Sequence, residues 1–162
     1  MILGMSVSAF TTLHVLISLV AIATGLIVVW GMLGANRVSS LTFVFLLTTV
    51  LTTLTGFLFP ITAFTPALGV GIVSSLVLIV TLAALYAFRL RGPWRWVYVA
   101  GAVLSLYLNV FVLLVQSFLK VPALNALAPN GNEPPFTIAQ GIVLVLFVLV
   151  GLLSLRRFHP IA

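Results

Sequence analysis

A chain of 162 residues with 63% apolar side chains and a mean hydropathy of +1.39 has too little polar surface to be solvated as a water-soluble domain. Its net charge of +6 does not signal nucleic acid, because the basic residues sit at the ends of apolar runs rather than along one exposed face. With no cysteine, disulfides, thiolate metal sites and redox thiols are excluded.

The N-terminal MILGMSVSAF has no basic stretch ahead of its apolar run, and that run exceeds the core of a signal peptide, so it reads as a retained first helix. A hydrocarbon layer about 30 Å thick takes about 20 apolar residues of helix. Five segments reach that length: Ala9 to Leu33, Ser40 to Phe59, Ala67 to Phe88, Trp96 to Leu119 and Thr137 to Leu155. Each break has a cause. GANR joins glycine to a charge, Pro60 has no N–H to continue a helix, RLRGPWR carries three arginines with Gly-Pro, and APNGNEPP is rich in turn residues. The runs are continuously apolar rather than alternating, which excludes a closed β-barrel and predicts an all-α bundle of five transmembrane helices over residues 1–162, one domain.

Basic residues in the short loops set the orientation. With the N-terminus outside, Arg37, Arg89, Arg91, Arg95, Arg156 and Arg157 fall on the cytoplasmic side and Lys120 alone outside. Trp30, Trp94 and Trp96 fall at the arginine-bearing side, where indoles favour the headgroup level. The expected topology is N-out and C-in. The long outer connection KVPALNALAPNGNEPPF predicts a short interfacial helix, with Pro122 in its first turn and Leu124 and Leu127 on one face, followed by an Asn-Gly turn. It serves either as a lid or as an ordered outer loop.

The stretch YLNVFVLLVQSFLKVPALNALAPNGNEPPFTIAQGIVLVLFVLVG resembles a segment of a group of small, uncharacterised multi-pass bacterial inner-membrane proteins, with FLKVPALNALAP and EPPF its most specific parts. LHVLISLVAIATGLIVVWGML and TGFLFP resemble the same group. The resemblance implies a five-helix membrane protein and assigns no functional residue.

Polar side chains inside lipid are costly and turn to the bundle interior or a cavity. At about 1.5 Å per residue, His14 lies about 7 Å below the outer end of its helix, Gln116 and Gln140 about 5 Å and Asn109 about 16 Å. Ser105, Asn109, Gln116 and Lys120 are spaced to share one stripe of the fourth helix, and Thr11, His14 and Ser18 share a face of the first. Thr48, Thr49, Thr52, Thr53 and Thr55 add to the same outer half. These residues predict either a blind polar cavity opening outward or interhelical glue, in which hydroxyls and amides bond to helix backbone and to neighbouring helices. Ala21 with Gly25, and Gly101 with Ser105, read as close-packing faces.

Chemistry finds little support. His14 is the one histidine within a span, whereas a bis-imidazole haem needs two at matching depth, so no cofactor is expected. The sole acid, Glu133, lies in the outer loop, which disfavours proton-coupled carriers. Paired carboxylates, H-E-x-x-H and G-x-S-x-G are absent, which weighs against an enzyme. The sequence therefore predicts a non-enzymatic protein, an accessory subunit or small binding protein. It would hold a lipid-like or amphipathic ligand through His14, Asn109, Gln116 and Gln140, with Lys120 as the cation at the mouth. The alternative is a channel or carrier for a small neutral solute, with Gly69 and Gly71 permitting movement. Expected partners are membrane lipids and, from Tyr107 and the many small residues, a second copy or a larger membrane complex.

Overall fold

The computed structural model describes residues 1–160. Six α-helices follow in chain order: α1 Val7–Leu33, α2 Ser39–Phe57, α3 Pro66–Leu82, α4 Trp94–Lys120, α5 Pro122–Leu127 and α6 Pro134–Arg157. A π-helical turn, Ala83–Ala87, extends α3. Five of them, counting α3 with its extension, are long and apolar enough to cross a membrane, so the chain has the build of a multi-pass membrane protein.

Local chemistry sets the ends. Ser6 adopts extended backbone and its hydroxyl accepts from the Ala9 N–H at 3.1 Å, capping α1. Thr65 does the same for α3 through Leu68 N–H, with Pro66 in the first turn. Helix α2 stops at Phe57 rather than running to Phe59, because Pro60 disfavours helical backbone at the residue before it. Helix α6 starts at Pro134, three residues before the expected Thr137, since prolines are tolerated where the helix N–H groups have no partner anyway. The predicted short helix exists as α5, and Gly131 follows with a left-handed φ of +74°.

Helix α4 is the centre of the bundle, packed on α1, α3 and α6, while α1 pairs closely with α2. Its Val99, Ala102, Val103 and Leu106 are buried and meet Phe45 and Leu46 of α2 and Met32 of α1. The small-residue faces work as expected: Ala21 is fully buried, a β-carbon on Gly25 would press on Leu106 and Phe45, and one on Gly101 would collide with Thr81. Tyr107 packs on Phe111 and on Phe147 of α6, within the same chain.

The arginine end holds Arg37, Arg89, Arg91, Arg95, Arg156 and Arg157, and Trp30 and Trp96 stand 78% and 59% exposed there. At that end Arg95 Nη1 donates to the carbonyls of Phe158 at 2.6 Å and Leu155 at 3.2 Å, tying the last turn of α6 to the first of α4. A charge-assisted bond of this kind contributes about 1.5–3 kcal/mol. Arg95→Met is therefore expected to lower the thermal unfolding midpoint and expose α6 to proteolysis, with Arg95→Lys recovering only part because it lacks the guanidinium fork.

Candidate functional site

A recess of about 600 Å³ opens at the end opposite the arginines, between α1, α2, α3 and α4. Three observations give it depth. Thr49 and Asn109 meet across α2 and α4, Thr55 and His14 meet across α2 and α1, and Lys120 closes α4 at the rim. Thr55 stands six residues above Thr49, and Gln116 seven above Asn109, so His14 and Gln116 share a level about 10 Å above the Asn109 floor. Lys120 lies one further turn up, about 6 Å.

One wall is polar, with Thr11, His14 and Ser18 of α1 and Asn109, Gln116 and Lys120 of α4, the faces their spacing predicts apart from Ser105. Ser105 is 1% exposed and sits in the packed core with no hydrogen-bond partner among the described residues, because α4 turns that far end of its stripe against its neighbours. Phe57 of α2 and Leu68, Val70 and Gly71 of α3 form an apolar wall. Thr52 and Thr53 line the space too, but their hydroxyls donate to backbone carbonyls one turn earlier.

The amides divide between cavity and glue. Asn109 Nδ2 donates to Thr49 Oγ1 at 3.3 Å, while the residue also lines the recess. Gln116 has no side-chain hydrogen bond among the described residues. Gln140 is not brought to the recess. It lies on α6, where Nε2 donates to the Phe111 carbonyl at 3.3 Å and Oε1 is buried without a partner among the described residues. Sequence depth alone placed it with the others, but α6 packs on the side of α4 away from α3, a direction that depth does not encode.

Lys120 has no carboxylate near it among the described residues. The one acid, Glu133, accepts from Asn130 N–H and Nδ2 and from Asn132 N–H in its own loop. Desolvation pulls its acidity the other way, but the Asn130 and Asn132 donors and its own N–H win and hold the carboxyl below the usual carboxylate range. Glu133 thus stays ionised, and its hydrogen bonds lie within its own loop rather than with Lys120.

Sequence reasoning did not anticipate the apolar wall and the rim from Phe59 to Thr65 that completes the recess. Proline and phenylalanine there read only as a break between spans. A second hollow, at the arginine end, is lined by Phe88, Arg89, Arg91 and Trp94, with the two rings stacked at 3.8 Å. Comparison with protein-family models, curated proteins and solved structures finds no match to this chain.

Proposed function

We propose that this chain is a non-enzymatic multi-pass protein of a bacterial inner membrane, with its arginine end in the cytoplasm, that binds an amphipathic, lipid-like molecule in an outward-facing recess. Membership of the small inner-membrane protein group that its sequence resembles belongs to the same reading. The observation that carries it is the pairing of a polar wall, His14, Asn109, Gln116 and Lys120, with an apolar one in a space of about 600 Å³. That volume lies within the range of small-molecule sites. An amphiphile satisfies both walls at once, whereas water alone would leave the apolar wall wet and a hydrocarbon would leave the amides unpaired. Helix α5, at the rim beside Lys120, suits the membrane interface on this reading, with Leu127 exposed.

Below Asn109 the bundle is filled by Phe45, Leu46, Ala102 and Leu106, each 2% exposed or less. A permeation path would have to displace these side chains, so binding is favoured over a channel for neutral solutes.

The chain has no native cysteine, which makes thiol labelling a clean test. A membrane-impermeant maleimide added from outside should label Asn130→Cys and Asn109→Cys and leave Leu106→Cys untouched, and Gly92→Cys should react only after permeabilisation. Protection of Asn109→Cys from outside, with Asn130→Cys labelled, would remove the recess as a binding site. Labelling of Gly92→Cys in intact cells would reverse the orientation.

A further inference from the structure

The hydrogen bonds around His14 bear on which of its nitrogens carries the proton. Thr55 Oγ1 lies 2.7 Å from the Leu51 carbonyl and 3.1 Å from that of Thr52, and 2.7 Å from His14 Nδ1. A hydroxyl has one hydrogen, and a carbonyl can only accept. With the Thr55 hydrogen on the Leu51 carbonyl, the bond that Thr48, Thr52 and Thr53 each make to the carbonyl four residues earlier, the hydrogen in the His14 contact comes from Nδ1. In that arrangement the neutral ring carries its lone pair on Nε2. Nε2 has no partner among the described residues and is not buried. An accessible acceptor thus stands on the polar wall at the level of Gln116, one turn below an ammonium that no described carboxylate pairs.

We infer that the recess selects a single-chain phosphate amphiphile with a free glycerol hydroxyl, its phosphate on Lys120 and its hydroxyl donating to His14 Nε2. This deepens the proposed function and rests on it. In a two-chain glycerophospholipid both glycerol oxygens below the phosphate are esters, which only accept. Set against Nε2 they oppose acceptor to acceptor and leave it unsatisfied. With one chain removed, one of those oxygens becomes a donor at the depth His14 occupies, about 6 Å below the cation. The Gln116 amide, which no described protein group engages, is then placed to donate to the remaining ester carbonyl. The single chain lies along Phe57, Leu68 and Val70. A free glycerol phosphate would satisfy the polar groups but leave that wall uncovered, so the chain is part of the recognition.

The test uses the full chain in phosphatidylcholine nanodiscs and measures binding of three probes by calorimetry: 1-acyl glycerol phosphate, its 2-deoxy analogue, and glycerol phosphate without a chain. The monoacyl phosphate should bind about tenfold more tightly than the deoxy analogue, the loss expected for one hydrogen bond, and glycerol phosphate should bind far more weakly. His14→Phe, which keeps a ring against Phe59 at the contact His14 makes at 5.4 Å, should abolish the difference between the two amphiphiles. Lys120→Gln should weaken both and keep their ratio. Equal affinity of the hydroxyl and deoxy probes for the native chain would overturn this inference while leaving an amphiphile-binding recess standing. Undetectable binding of every probe, with Asn109→Cys unreactive from outside, would remove both. Glycerol phosphate binding as tightly as the amphiphile would make the ligand a soluble phosphate and overturn the lipid assignment.

Discussion

Gly25→Val is expected to disrupt the bundle at its centre, with loss of monodisperse protein and a large fall in the unfolding midpoint. A β-carbon at Gly25 would lie 2.7 Å from Leu106 Cδ1 and 2.8 Å from Phe45 Cε2. Both neighbours are 0% exposed, so neither has space to swing aside. Overpacking of this kind costs about 1–3 kcal/mol for the first added carbon, more than the roughly 0.5–1 kcal/mol that replacing glycine in a helix returns. Gly25→Ala should therefore already destabilise, and valine more. The control is Gly141→Ala on α6, where a new β-carbon meets nothing within 4 Å; it should be neutral or mildly stabilising. Thermal unfolding in detergent checks the pair, and equal midpoints for Gly25→Ala and Gly141→Ala would show that α1, α2 and α4 do not meet as closely as described.

That junction shows how far the sequence reaches. The five spans were legible because about twenty apolar residues can satisfy their backbone in lipid only as helix, and every long helix lies within three residues of its expected bounds. The deviations of note fall at prolines: the apolar run carries on through Leu58 and Phe59 although Pro60 acts on the residue before it, and Pro134 and Pro135 carry a turn signal although they open α6. The π-helical turn at Ala83–Ala87 left no trace, since ALY and its neighbours are ordinary helix residues. Spacings of three, four and seven residues grouped Thr11, His14 and Ser18, and Asn109, Gln116 and Lys120, and all six line the recess, because periodicity reports which side chains share a face. It does not report what the face meets. Hence Ser105, on the same stripe, ends in the core, and Gln140, at the right depth, bonds to Phe111 beyond the recess.

Asn109 is where glue and site overlap, and a double substitution separates the two roles. Its Nδ2 bond at 3.3 Å is the one hydrogen bond that the Thr49 hydroxyl makes among the described residues, and Thr49 is 1% exposed. Asn109→Leu removes the donor and strands that hydroxyl, a cost of about 1–2 kcal/mol. Replacing both ends, Asn109→Leu with Thr49→Val, leaves nothing unpaired and should bring the unfolding midpoint back close to that of the native chain, because two apolar groups of similar shape can substitute for a bonded pair. Stability being restored, any remaining loss belongs to the recess floor. Lipid retained through purification, measured by mass spectrometry, is expected to stay reduced in the double variant if Asn109 offers its carbonyl to the ligand. Thr49→Val alone should retain more, since it leaves that amide in place. Retention restored to the native level together with stability would assign Asn109 to holding α2 against α4 and leave His14, Gln116 and Lys120 as the polar contacts of the site.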